Sequence, residues 1–168
     1  YDTCTPLTSV NAERLIGNAI KGKRDKWLIG TKFGHIRIEP QKNTNAWEVA
    51  DIQKQLETSL RLLKTDRIDL YQFHSGSDEI FDRDEIWSFL DREKQKGKIL
   101  HIGISLNRSK SAREDYQTVK APEVGAEVIQ VKYNRLERDA ENLILPAAEK
   151  AGLGVIGRVT LASGLLGG

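Results

Sequence analysis

The stretch Ser59-Leu60-Arg61-Leu62-Leu63-Lys64-Thr65-Asp66-Arg67-Ile68-Asp69-Leu70-Tyr71-Gln72-Phe73-His74 changes its hydrophobic period halfway along. Up to Leu63 the apolar residues recur every three or four positions. They continue a stripe of Trp47, Ile52, Leu56 and Leu60 that predicts a helix over about residues 45–64. From Ile68 the chain becomes a short, nearly continuous apolar run, the mark of a buried strand, and it ends on His74. The same alternation extends in both directions. Apolar runs at 27–33, 99–104, 128–131 and 153–159 predict further strands. Helical spacing falls between them. A first helix, capped by Asn11, carries Leu15, Ile16, Ala19 and Ile20 before Gly22; another over 84–96 carries Ile86, Trp87, Phe89 and Leu90. Weaker helical patterns cover 109–119 and 141–150, and the polar segment 35–44 reads as the longest loop.

Strands alternating with helices of this length predict an α/β fold with a parallel sheet, because parallel neighbours need a long return connection. An open doubly wound sheet normally carries a glycine-rich phosphate turn after its first strand. No G-x-G-x-x-G or G-x-x-x-x-G-K-[ST] occurs. The closed eight-stranded barrel instead places its chemistry where strands end. Composition narrows the function classes. With 168 residues, 39% hydrophobic and 30% charged, the chain suits one core, read as a single domain over 1–168. No apolar run approaches the roughly 20 residues of a membrane span. A net charge of +2 gives no electrostatic ground for a nucleic-acid or membrane-surface partner. The lone Cys4 forms no internal disulfide, which suits a reducing cytoplasm, and three histidines with one cysteine show no zinc or iron spacing.

Polar residues stand where the apolar runs meet their loops: Asp2, Lys32, His74, Ser105, Gln130 and Arg158, each about one strand-plus-helix unit beyond the last. In a barrel these side chains converge on one rim. A Lys beside an Asp keeps its charge, its cation lowers the pKa of a neighbouring acid, and a His can orient a carbonyl through a hydrogen bond. Such a trio suits proton transfer to an oxygen that develops negative charge.

The run 59–74 resembles the helix-to-strand signature of the aldo-keto reductase family. So, in the same order, do Tyr1-Asp2-Thr3, Glu13 with Leu15-Ile16-Gly17, Thr31-Lys32-Phe33-Gly34, and Gly97-Lys98-Ile99 with Ile102-Gly103-Ile104-Ser105. Gln130-Val131-Lys132-Tyr133-Asn134 and Leu161-Ala162-Ser163-Gly164-Leu165-Leu166 complete the set. The resemblance implies a (β/α)8 barrel, about strands 2 to 7 of it, that binds NADPH without a glycine-rich turn and reduces an aldehyde or ketone to an alcohol. It matches Asp2, Lys32 and His74 to three members of the family's Asp-Tyr-Lys-His tetrad. Ser105 and Gln130 match residues that hold the nicotinamide carboxamide, Arg158 stands where many members stack an aromatic ring on the nicotinamide, and Leu161 and Ser163 match contacts to the pyrophosphate.

The departures are specific. Leu7 stands where the family has its proton-donating Tyr, Thr8 where it usually has Gly, and Thr160 where a Pro is usual. Leu106 separates Ser105 from Asn107. Three readings of Leu7 stand open: a reductase using His74 or water as its acid, an NADPH-binding relative without efficient catalysis that senses or interacts, or unnatural residues around 5–11. A barrel enzyme unrelated to nicotinamide chemistry would require the ordered motifs to be coincidence. Trp27, Trp47 and Trp87 read as core, His101 as a core or lower-rim histidine, and His35 as a loop residue or a pocket lining. The charge run 91–98 reads as a solvated helix end. A complete barrel takes about 250 residues. The order of the resembling motifs places Asp2 at the end of strand two, so the chain, which opens on Tyr1 and has no Met, is expected to lack the barrel's first and eighth strands. The reading is an NADPH-dependent cytoplasmic oxidoreductase acting on a small-molecule carbonyl.

Overall fold

The computed structural model describes residues 10–39, 42–106 and 115–167. Five parallel strands form the main sheet: β1 (Gly30–Phe33), β4 (Ile68–His74), β5 (Ile99–Ser105), β6 (Val128–Lys132) and β7 (Gly154–Arg158), in the spatial order β1-β4-β5-β6-β7. Between β1 and β4 the chain forms the hairpin β2 (His35–Glu39) and β3 (Lys42–Asn45), then helix α2 (Val49–Leu63). The shorter α3 (Asp78–Phe81) and then α4 (Asp84–Gln95) link β4 to β5, α5 (Tyr116–Lys120) precedes β6, and α6 (Ile144–Lys150) precedes β7. Helix α1 (Val10–Ala19) packs on α2. Their approach is close at Gly17, where a Cβ would lie 2.4 Å from the Leu62 carbonyl oxygen.

Each strand joins the sheet beside its predecessor, so the order never reverses. That winding is what a barrel requires; a doubly wound sheet turns back at a switch point. The helices bury their apolar stripes against one face of the sheet. Ile52, Leu56, Leu60 and Leu63 of α2 and Ile86, Phe89 and Leu90 of α4 join Phe33, Tyr71, Phe73, Ile102, Ile104, Ile129 and Val131 in one core. The start of β1 is tied down by Asp69. Its Oδ2 accepts the Ile29 N–H at 2.8 Å and the Arg24 guanidinium at 2.6 Å.

Several expectations need correction. Residues 35–44 form a hairpin, not a loop, with His35 opposite Asn45 and Ile36 opposite Thr44. Its polar composition hid it, although Ile36 and Ile38 alternate with Arg37 and Glu39 as a strand does. The strand expected over 27–33 begins only at Gly30. Trp27 follows a 3-10 turn (Arg24–Lys26) and is 44% exposed, outside the core; Trp47 and Trp87 are buried. Asn11 falls within α1, one residue after its first described position. The charge run is not wholly solvated either, since Glu93 is buried and Lys96 Nζ donates to it at 2.6 Å. Helix α5 holds only part of 109–119, and residues 107–114 lie outside those described.

Gly34 closes β1 at φ +111° beneath the Trp47 ring, whose nearest atom would lie 1.9 Å from a Cβ there. Only hydrogen fits, and only glycine takes this backbone without cost. Gly34→Ala is expected to destabilise the fold by about 2 kcal/mol or more, through overpacking and a disallowed φ, as read by urea denaturation.

Candidate active site

Alternation along a strand sends residues two apart to the same face. The ladder then decides which residues of neighbouring strands share that face. Lys32 pairs with Gln72, His74 with Ser105, Ser105 with Gln130, and Lys132 with Arg158. All therefore project from the face opposite the helical core. His74, Ser105 and Gln130 form a single row. Lys32 stands one step below it and Arg158 one step above. Lys32, Gln72, Ser105 and Gln130 are all buried. Ser105 Oγ donates to Gln130 Oε1 at 3.2 Å, which fixes the orientation of the Gln130 amide.

The strand ends are chained to one another. The Ser75 N–H donates to the Ser105 carbonyl and the Leu106 N–H to the Gln130 carbonyl, both at 2.9 Å. Ser75 takes φ +59°, turning the chain sharply after His74. Gln117, buried on α5, clamps this turn: its Nε2 donates to the Gly76 carbonyl at 3.1 Å and to Asp78 Oδ1 at 2.8 Å. Over the turn stands the hairpin. The His35 ring packs edge-on against His74 at 5.2 Å and against Trp47 at 5.4 Å. Trp47 lies 4.8 Å from Phe73, so the wall beside His74 continues into the helix-side core.

Arg158 Nη2 donates to the Leu106 carbonyl at 3.3 Å, while its Nε is buried with no hydrogen bond among the described residues. Beyond β7 the chain passes through Leu161, which is exposed, and Ser163, which takes φ +57°. Asp2, Leu7, Thr8 and Asn107 lie outside the described residues. Of the described tyrosines, none faces this site. Tyr71 projects into the helical core, where burial and then the Glu13 charge push its phenol well above the usual range. Tyr116 donates to Asp82, and Tyr133 to Glu141. His101 is exposed low on β5 and pairs with Glu127, so it belongs to the lower rim and not to the core. Among the described residues no group of three His, Cys, Asp or Glu could hold a metal ion. Nor is any helix there long and apolar enough to cross a membrane.

Sequence reasoning named the row but not all of its surroundings. It placed Trp47 only in the core and left Gln72, Gln117 and Asn134 without roles. Gln72 was within reach, being two residues before His74 on the same face. Nothing local marks Gln117, whose partner Gly76 is 41 residues away.

A sheet wound in one direction, with polar side chains gathered at the C-terminal strand ends, is the arrangement of (β/α)-barrel proteins. Comparison makes the class specific: residues 1–168 match the Aldo/keto reductase family, and the chain belongs to it. The chain is 36% identical over 150 residues to the uncharacterized oxidoreductase YrpG of Bacillus subtilis (strain 168), covering 87% of this chain and 46% of that protein. It is 33% identical over 172 residues to aldo-keto reductase YhdN of the same organism, covering 99% and 49%. It thus spans about half the length of the curated relatives it matches. Among solved structures, the holo form of aldo-keto reductase AKR11C1 from Bacillus halodurans superposes with a TM-score of 0.84 at 32% identity, covering 98% of this chain and 53% of that one. The aldo/keto reductase from Klebsiella pneumoniae in complex with NADP and acetate gives 0.77 at 26% identity, covering 98% and 54%. The five strands are therefore an arc of the family's (β/α)8 barrel.

The clamp on the His74 turn makes a direct prediction. Gln117→Leu removes both hydrogen bonds and leaves the buried Gly76 carbonyl without that donor. Stability should fall by about 1–3 kcal/mol in urea denaturation, with faster amide exchange at Ser75 and Gly76.

Proposed function

We propose that this protein reduces an aldehyde or ketone to an alcohol with NADPH, in the cytoplasm, on a small-molecule substrate and without a nucleic-acid or membrane partner. The observation that carries the reading is the shared face of Lys32, His74, Ser105, Gln130 and Arg158 at the strand ends. The residues fit the cofactor. The oriented Gln130 amide and Ser105 suit a carboxamide. Arg158 brings a fixed positive charge to the upper edge of the row, with a buried Nε still lacking a hydrogen bond among the described residues. Leu161 and Ser163 would meet the pyrophosphate. NADP- and NADPH-bound relatives of this family support the same assignment.

When bound, NADPH supplies the hydride. The chain's own residues supply position and electrostatics. Lys32 is 7% exposed, so its cation acts where water screens it little and can stabilise negative charge gathering on the carbonyl oxygen. His74, packed against His35, orients that oxygen by a hydrogen bond. Asp2 completes the charged set by family resemblance.

A second reading has its own support. Leu7 stands at the position of the family's proton donor, and no described tyrosine faces the site in its place. On this reading the protein binds NADPH with weak or no turnover. The share of rate that general acid catalysis usually supplies, roughly two to four orders of magnitude, would be missing while cofactor binding stays largely intact.

Titration with NADPH tests the shared core of both readings. Quenching of tryptophan fluorescence is expected, since Trp47 stands within the wall beside His74; a flat titration of the intact protein would remove both. Leu7→Tyr is expected to raise aldehyde-dependent NADPH oxidation by roughly 100-fold or more. An unchanged rate would show that Leu7 does not occupy the acid position.

A further inference from the structure

Asn134 lies two residues beyond β6 and is 6% exposed, yet every hydrogen-bonding site of its amide is used. Its Oδ1 accepts the N–H groups of Leu136 at 2.9 Å and Glu137 at 3.0 Å. Its Nδ2 donates to Glu137 Oε2 and to the Val159 carbonyl, both at 3.1 Å. Three of these bonds build its own loop. Only the fourth crosses to the loop after β7.

The crossing bond lands on a strained residue. Val159 takes φ +57°, and a β-branched side chain in the left-handed region is an outlier. Ala162 and Ser163 follow at φ +47° and +57°. Conformations of this kind persist only where their surroundings over-determine them. The Val159 carbonyl is the point at which that happens, for it also accepts the Ala162 N–H at 2.9 Å. Asn134 is itself braced through Glu137, whose Oε1 accepts Lys132 Nζ at 2.6 Å. A continuous chain thus runs from the end of β6 to the turn that carries Leu161 and Ser163.

We infer that Asn134 is a positioning residue for cofactor binding: it holds Val159 in its left-handed conformation and so sets the loop 161–163 in the shape that receives the dinucleotide phosphates. The inference rests on the NADPH reading above. It assigns to Asn134 no contact with the cofactor.

The test uses the intact protein and two ligands, NADPH and reduced nicotinamide mononucleotide, which lacks the pyrophosphate and the adenosine. Asn134→Ala should weaken NADPH binding about tenfold, the usual worth of a lost buried hydrogen bond, and leave the mononucleotide unchanged. In a Val159→Gly background, where φ +57° carries no penalty, the same substitution should cost less than about threefold. Circular dichroism and the thermal unfolding midpoint of Asn134→Ala, together with its unchanged affinity for the mononucleotide, guard against misfolding as the cause of the loss. Equal weakening of both ligands, an unchanged NADPH affinity, or a full loss retained beside Val159→Gly would overturn the inference. Failure of the unsubstituted protein to bind NADPH would instead remove the functional reading and this inference with it.

Discussion

The parallel ladder is the constraint on which everything else depends. Backbone hydrogen bonds between β4 and β5 pair His74 with Ser105, and those between β5 and β6 pair Ser105 with Gln130. Once those pairs exist, alternation sends Lys32, Gln72, His74, Ser105, Gln130 and Arg158 to one face and the aromatic and β-branched residues between them to the other. A slip of one residue in any strand would exchange the two sets, placing charge in the helical core and Phe73 or Ile104 in the site. The apolar face thus holds the polar one in register: burial of Phe33, Tyr71, Phe73, Ile102, Ile104 and Ile129 is lost with any such slip.

That apolar face is unusually aromatic beneath β1 and β4. Phe33, Trp47, Phe73, Phe81 and Trp87 pack ring against ring, and Trp87 Nε1 donates to the Phe81 carbonyl at 2.6 Å. Rings of this size have few rotamers and bury much area, so they make a stiff base for the strand ends above them. The stack also reaches across the sheet edge. Trp47 leaves the core beside Gly34 and meets His35, which meets His74. The hairpin, which the sequence reading took for a loop, is therefore joined to the site through Trp47, a residue that the hydrophobic pattern does place.

On the proposed reading, position and proton supply fall to different parts of this molecule. The strand ends provide buried charge, an oriented amide and a packed imidazole, all set by backbone register. The proton donor of the family would come from another segment, where this chain has Leu7. On that reading binding and electrostatics would persist where acid catalysis weakens, because different parts of the chain would carry them.

How much was legible beforehand follows from the range of each interaction. Hydrophobic period and the residues at the strand ends are local, and they determined the α/β class, the five described parallel strands and the placing of Lys32, His74, Ser105, Gln130 and Arg158. Largely polar elements escaped, as the hairpin did, and so did strand limits set by pairing, as at Gly30. Gln117 on Gly76 and Asn134 on Val159 were invisible because each bond joins residues brought together only by folding, and a glutamine or asparagine carries no mark of its distant partner. The sequence by itself determined which side chains stand at the strand ends. Only the tertiary structure decided that they share one face and which buried amides hold their loops, because hydrogen bonds between distant backbone and side-chain groups exist only once the sheet has closed its register.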